Sequence, residues 1–283
     1  MRLSVENHTL RKRYGDEKAI QMLKKAGFDC VDYSFYGWEK EDDVLNDNYL
    51  EHAGKVRTLL DENGLICNQA HAPFVLRYGC RFDVSDEEYK RVVRSIIAAA
   101  TMGAEYIVVH PILVPIGEDL ISYNIKYYKS LELYCKKFHI RIAIENMFLY
   151  DEKCKCIRGW LHTPELMKQI VNELQSEWFV LCLDIGHAAL TGYAPEEMIR
   201  QFDRNMLQVL HIHDNDYLGD RHTIPYAGSF DWNKIMQALK DIGYNKDFTF
   251  EIPGYLKKMD DEFMDEALVF AEKIGKHLIK KVV

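Results

Sequence analysis

At 283 residues, with 48% hydrophobic and 28% charged residues and a formal net charge of −8, the chain has the composition of a soluble globular protein. The acidic balance gives no global electrostatic reason to bind nucleic acid or an anionic membrane, and no run approaches the ~18 consecutive apolar residues of a membrane span. Seven cysteines, at 30, 67, 80, 135, 154, 156 and 182, lack the dense spacing of a disulfide scaffold, so reduced thiols are expected and Cys154-Lys-Cys156 reads as loop.

Met1-Arg-Leu-Ser-Val-Glu6 enters a strand pattern without the layout of a secretory signal, which sets the expectation of a cytoplasmic enzyme or binding protein. Strand one covers Leu3 to Asn7, and helix one runs from about Asp16 to Ala26 and stops at Gly27. Strand two, Cys30 to Phe35, leads into the acidic stretch Tyr36-Gly-Trp-Glu-Lys-Glu-Asp-Asp43. Helix two, Asp47 to Asn63, stops at Gly64 before strand three, Ile66 to Ala72, which is followed by Arg77-Tyr-Gly-Cys-Arg81. Ser85-x-x-Glu88 reads as a capping box for helix three, which ends at Met102 and Gly103.

Strand four is Tyr106 to His110 and helix four Ser122 to Phe138. Strand five is Arg141 to Glu145, and Thr163-Pro164-Glu165 launches helix five to Leu174. Strand six is Phe179 to Asp184, followed by a short helix at Pro195. Strand seven is Leu207 to His213, and helix seven spans Asp231 to Ile242 after a longer loop. Strand eight is Phe248 to Ile252, and Asp260 to Lys280 closes the chain.

Eight strands alternating with eight helices over about the ~250 residues of a (β/α)8 barrel predict the α/β class, a single (β/α)8 TIM barrel. No Gly-x-Gly-x-x-Gly turn supports a dinucleotide-binding sheet, and no linker or composition shift divides residues 1–283 into two domains.

Such barrels build their sites at the C-terminal ends of the strands. Those ends carry Glu6, Asp32, His71, His110, Glu145, Asp184, His211 and Glu251. Glu145 and Asp184 follow runs that must be buried on both faces, where an unpaired carboxylate is costly and a divalent cation offsets the cost. Glu145, Asp184, His211 and Glu251 offer mostly oxygen ligands and one imidazole. That set suits Mn²⁺, Mg²⁺ or Co²⁺, and Zn²⁺ if further histidines join. Strand alternation points His211 and His213 the same way, with only His211 level with the other three; His213 and Asp214 are expected to begin the rim.

The ordered motifs Gln69-Ala-His71-Ala-Pro73, Val109-His110-Pro111, Ile144-Glu145-Asn146, Leu183-Asp184-Ile-Gly-His187, His211-Ile-His-Asp214-Asn, Asp220-Arg221-His222-x-x-Pro225, Gly228-Ser-Phe-Asp231-Trp232 and Phe250-Glu251 span the whole chain. In this order the chain resembles the xylose-isomerase-like TIM-barrel superfamily, which contains sugar isomerases, ketose 3-epimerases, inosose dehydratases and barrel-type apurinic-site endonucleases. The resemblance implies one divalent metal on Glu145, Asp184, His211 and Glu251. It also implies that Glu145 and Glu251 exchange the proton beside the carbonyl of a sugar or sugar phosphate, with His71, His110, His187, Asp220, Arg221 and His222 lining the substrate.

The alternative within the same resemblance is a phosphodiester hydrolase holding up to three zinc ions, because His71, His110, Glu145, Asp184, His187, His211, Asp220, His222 and Glu251 fill every position its pattern asks for. Against it stands the acidic loop after strand two, since an enzyme that flips a nucleotide needs phosphate-gripping loops. No nucleic-acid or membrane partner is therefore expected. A dehydratase and a non-catalytic sugar- or metal-binding barrel are further readings, the last disfavoured by the intact Glu145 and Glu251 pair. The resemblance also leaves room for a homo-oligomer. Tyr226 stands where members usually carry glycine, and the first arginine after His211 is Arg221, so no single epimerase specificity is implied.

Overall fold

The computed structural model describes residues 1–36, 43–74, 82–114, 117–150, 156–157 and 159–282, with only the backbone at 156–157. Most of the acidic stretch after strand two, the Arg77 to Arg81 stretch and Cys154 lie outside the described residues.

Among the described residues, eight parallel strands form a nearly closed barrel: β1 (Leu3–Glu6), β2 (Cys30–Ser34), β3 (Ile66–His71), β4 (Tyr106–Val109), β5 (Arg141–Glu145), β6 (Phe179–Asp184), β7 (Leu207–His211) and β8 (Phe248–Phe250). From β1 to β7 each strand pairs with the next in sequence and β1 pairs with β8, so β7 and β8 are the two ends of the sheet. Ile212, just beyond β7, bridges the two ends, donating its amide to Thr249 O and accepting from Glu251 N at 2.9 and 3.0 Å.

Alternation along the strands separates two cores. Leu3, Val31, Ile107, Ile142, Leu181 and Phe250 pack outward among residues of the surrounding helices, while Tyr106, Val108, Ala143, Val180, Cys182 and Val209 form a small apolar cluster inside the barrel. The other half of the interior is polar, with Ser4, Asp32, Asn68, Gln69 and Thr249 all buried.

Two β-bulges set the register. Opposite β2, Val31 pairs with Cys67 but Asp32 with Gln69, leaving Asn68 as the extra residue. Opposite β6, Leu181 pairs with Leu207 but Cys182 with Val209, leaving Gln208 extra and bringing Asp184 level with His211. A one-residue insertion re-aims every side chain beyond it, so both bulges control what reaches the mouth of the barrel.

The helices between the strands include α1 (His8–Ala26), α2 (Tyr49–Asn63), α3 (Glu87–Met102), α4 (Leu120–Phe138) and α5 (Pro164–Leu174). They continue with α6 (Ile185–Leu190), α7 (Pro195–Ile199), α8 (Trp232–Asp241), α9 (Pro253–Leu256) and α10 (Met264–Ile279). Gly27, Gly64, Gly103 and Gly243 adopt the left-handed conformation at the predicted helix stops, with φ of 102, 60, 94 and 65°. Thr163 caps α5, accepting from Leu166 N at 3.3 Å.

Several details differ from the sequence reading. Helix α1 begins at His8, eight residues before the expected start, and is broken at Gly15 (φ 78°, ψ 168°). The capping box at Ser85 does not form, because the Ser85 hydroxyl and amide both donate to Asp83 Oδ1 at 2.7 Å and the helix starts after Asp86. Helices α6 and α9 were not anticipated, nor was the antiparallel hairpin of Leu149–Tyr150 with Cys156–Ile157, so Cys156 lies in a strand rather than a loop. Among the described residues no helix is long and apolar enough to cross a membrane.

Candidate functional site

The eight strands converge on a carboxylate and histidine cluster at the mouth. Glu145, ending β5, is its centre: Oε1 lies 2.7 Å from His211 Nδ1 and Oε2 lies 2.7 Å from His110 Nε2. His71 Nε2 stands 3.6 Å from the same Oε2 and 3.1 Å from His110 Nε2. Glu251, just beyond β8, reaches His211 Nδ1 from the other side, at 3.3 Å.

Asp184 ends β6 and caps α6, accepting from His187 N at 2.7 Å. Asn146 locks the ends of β5 and β6 together, its side chain bonding both Asp184 N and Asp184 O at 2.8 and 2.9 Å. The same residue's carbonyl contacts His187 Nδ1 at 2.9 Å, which leaves His187 Nε2 turned toward Asp184 and Asp220 at 3.8 and 3.9 Å.

The loop after β7 supplies the remaining groups. His222 Nε2 lies 2.9 Å from Asp220 Oδ2, and its Nδ1 lies 3.1 Å from Glu251 O. His222 adopts a left-handed φ of 41°, a strained conformation of the kind that collects at functional sites. Its ring stacks on His213 with centroids 4.0 Å apart, and His213 Nε2 sits 3.1 and 3.2 Å from the two Asp184 oxygens.

The electrostatics show a site crowded with negative charge. Burial opposes ionisation of Glu145, yet the His211 and His110 rings hold its carboxyl well below the usual carboxylate range. Burial alone would pull His211 down, but the Glu251 and Glu145 carboxylates push it well above the usual histidine range. Burial is overruled at His222 too, where Asp220 and Glu251 raise the ring. His211 and His222 take up protons because the carboxylates around them lack other positive charge.

A divalent cation fits that shortage. One ligand atom each from Glu145, Asp184, His211 and Glu251 lies within 4.8 Å of the others, all four residues being buried. Asp220 Oδ1 is buried without a hydrogen-bond partner. Three further groups are as closely spaced: His187 with Asp220 and His222, Asp184 with His213 and His222, and His71 with Glu145 and His211. A cavity of about 220 Å³ opens above them, lined on its apolar sides by Phe74, Met147 and Phe148.

Nine of the ten site residues expected from the sequence come together here. Arg221 does not: its guanidinium pairs with Asp216 at 2.9 and 3.0 Å and its side chain is 59% exposed. Asp220 and His222 turn inward on either side of it, which leaves the residue between them facing out. His213 joins the site more closely than a rim position suggests. Its signal was the two-residue spacing from His211, which aims both rings into the barrel. Phe74, Met147 and Phe148 had no signal, since they come from loops.

A model of the family described as "Xylose isomerase-like TIM barrel" matches residues 20–278. The chain is 22% identical over 298 aligned residues to an inosose isomerase of Bacillus velezensis, covering 99% of this chain and 100% of that protein. An uncharacterised protein of Methanocaldococcus jannaschii is 27% identical over 159 residues, and the match spans only about half of it (52%). Among solved structures, a D-tagatose 3-epimerase-like protein superposes with a TM-score of 0.75 at 21% identity, covering 100% of this chain and 98% of that one. The IOLI protein with a bound zinc atom superposes with a TM-score of 0.73 at 20% identity, covering 100% and 99%.

Proposed function

The chain belongs to the xylose isomerase-like TIM barrel family, and on that footing we propose that it is a divalent-metal-dependent isomerase or epimerase of a sugar or sugar phosphate. The observation that carries this reading is the pair of carboxylates facing one atom from two sides, Glu145 and Glu251 at 2.7 and 3.3 Å from His211 Nδ1, beneath a cavity sized for a small molecule. The names of the B. velezensis inosose isomerase and the D-tagatose 3-epimerase-like protein point the same way.

In this reading one glutamate removes the proton from the carbon beside the carbonyl, leaving an enediolate, and the other returns a proton to the opposite face. The cation, Mn²⁺, Mg²⁺, Co²⁺ or Zn²⁺ on Glu145, Asp184, His211 and Glu251, would supply positive charge where negative charge develops on the substrate oxygens. His110 and His71 stand beside Glu145 Oε2, at 2.7 and 3.6 Å. His187, fixed through Nδ1 on Asn146 O, offers Nε2 to a substrate hydroxyl. Phe74, Met147 and Phe148 keep water from the reacting carbon.

Incubating the metal-loaded protein with free and phosphorylated ketoses in D₂O tests the proposal, with solvent deuterium expected at carbon. The four overlapping ligand groups, two sharing Glu145 and His211 and two sharing His222, favour one second reading, a zinc-dependent phosphodiester hydrolase. About one metal per chain with deuterium exchange supports the isomerase. Close to three zincs, no exchange with any sugar and cleavage of abasic DNA would replace it with the hydrolase.

A further inference from the structure

Beneath the ligand layer a column of polar side chains crosses the barrel interior. Thr249 Oγ1 donates to Gln69 Oε1 at 2.9 Å, Gln69 Nε2 donates to Asp32 Oδ2 at 2.9 Å, and Asp32 Oδ2 stands 3.4 Å from His211 Nε2. Thr249, Gln69, Asp32 and His211 come from four different strands, and each is at most 2% exposed.

The column exists because of the bulge at Asn68. Without the extra residue, Asp32 would pair with Asn68 and Gln69 would face the helices. With it, Asn68 and Gln69 both find partners inside the barrel, Asn68 taking the Ser4 hydroxyl at 2.7 Å.

His211 is thereby held between two different environments. Its Nδ1 faces Glu145 and Glu251 at the mouth, while its buried Nε2 has no hydrogen-bond partner at ordinary geometry and faces Asp32. The Cys182 thiol lies beside the same ring but is a weak partner. A histidine that binds a metal through one nitrogen needs the other protonated, and a carboxylate behind it fixes that arrangement and the ring's orientation.

We propose that Asp32, anchored by Gln69 and Thr249, is a positioning residue that keeps the proton of His211 on Nε2 and so presents Nδ1 as the ligand atom. Its functional meaning rests on the metal-dependent reading above, whereas the placement of the proton can be read without metal.

The test is ¹H–¹⁵N spectroscopy of the histidine rings in the full chain, the His211 signals being assigned by their loss in His211→Gln, together with zinc affinity by chelator competition. In the metal-free wild type, at a pH above that at which His211 loses its first proton, the remaining proton is expected on Nε2, and Asp32→Ala should expose it to exchange and weaken zinc binding roughly 10- to 100-fold. Asp32→Asn, which keeps an acceptor, should recover most of the affinity, and Thr249→Val, which loosens only the anchor, should cost a few-fold. A wild type with no proton on Nε2 overturns the inference. So does an Asp32→Ala protein that is less stable but keeps wild-type affinity and the same Nε2 proton. If Asp32→Ala does not fold, the wild-type spectrum and the Thr249→Val affinity decide. A wild type that protonates Nε2 but binds no divalent cation sinks the proposed function and leaves the Asp32–His211 pairing standing.

Discussion

The imidazole of His213 occupies the space in which residue 186 would carry a β-carbon: an ideal Cβ built on Gly186 lies 2.8 Å from Nδ1 and closer still to Cε1 and Nε2. The same ring contacts Asp184 at 3.1 Å. Gly186→Ala must therefore displace His213 or helix α6. The expected cost is about 1–3 kcal/mol in urea unfolding, the range for overpacking a filled core. Metal affinity should fall at least about tenfold as Asp184 loses its partner. Unchanged stability and affinity would show that His213 moves aside freely.

Asp214 organises the loop that carries Asp220 and His222. Its buried carboxylate accepts from Tyr226 N, Phe230 N and Trp232 Nε1 at 3.0, 3.1 and 2.8 Å, and its backbone pairs both ways with Thr223. Tyr226 is held at φ 73°, where glycine is usual. Asp214→Ala strands two buried donors and a third that is partly buried, and should cost about 3 kcal/mol. Its KM should rise more than its kcat falls, because the loop loses its hold while Glu145 and Glu251 stay in place. Steady-state kinetics beside denaturation separate the two effects.

Glu251→Gln keeps the side-chain shape and removes the base. Metal binding is expected to weaken but persist, and deuterium exchange to fall by about 10²–10⁴-fold. Full turnover in this variant would rule out the two-glutamate mechanism. Chelating the loaded wild type should lower its melting temperature, since a ligand at 100 times its Kd stabilises by about 2.7 kcal/mol.

Burial raises the carboxyl of Glu6 from 4.5 to about 7, despite hydrogen bonds from the Ser34 hydroxyl and the His8 amide. The unfolded chain releases this proton near 4.5 and the folded one near 7, so between those values the unfolded state binds fewer protons and stability falls as pH rises. Glu6→Gln should flatten that slope, gaining up to about 3 kcal/mol relative to wild type above pH 7. Urea midpoints of the metal-free proteins from pH 4 to 8 read it directly, and parallel curves would reject the raised carboxyl.

Arg221→Ala is expected to leave kcat and KM within about twofold, because the side chain pairs with Asp216 at the surface instead of lining the cavity. A tenfold rise in KM would mean that Arg221 turns inward when substrate binds.

The layer of Glu145, Asp184, His211 and Glu251 was legible because an ionisable residue that ends a strand buried on both faces must meet a charged or polar partner there, and because the βα spacing repeats. Helix stops at Gly27, Gly64, Gly103 and Gly243 were legible for an equally local reason, the left-handed conformation that glycine adopts freely. The failed cap at Ser85 shows the limit of such signals: Asp83, two residues away, competes for the same hydroxyl.

By itself the sequence determined the alternation of strands and helices, the ring that alternation implies and the residues arriving at its mouth, because each follows from the period of side chains along one segment. Tertiary structure alone decided that Asn68 and Gln208 bulge, that Asp32 meets His211 beneath the ligand layer and that Arg221 faces away from the cavity. These depend on how strands far apart in the chain are offset against one another. That offset comes from closing and packing the whole barrel, and one residue of slip reverses the face on which a side chain appears.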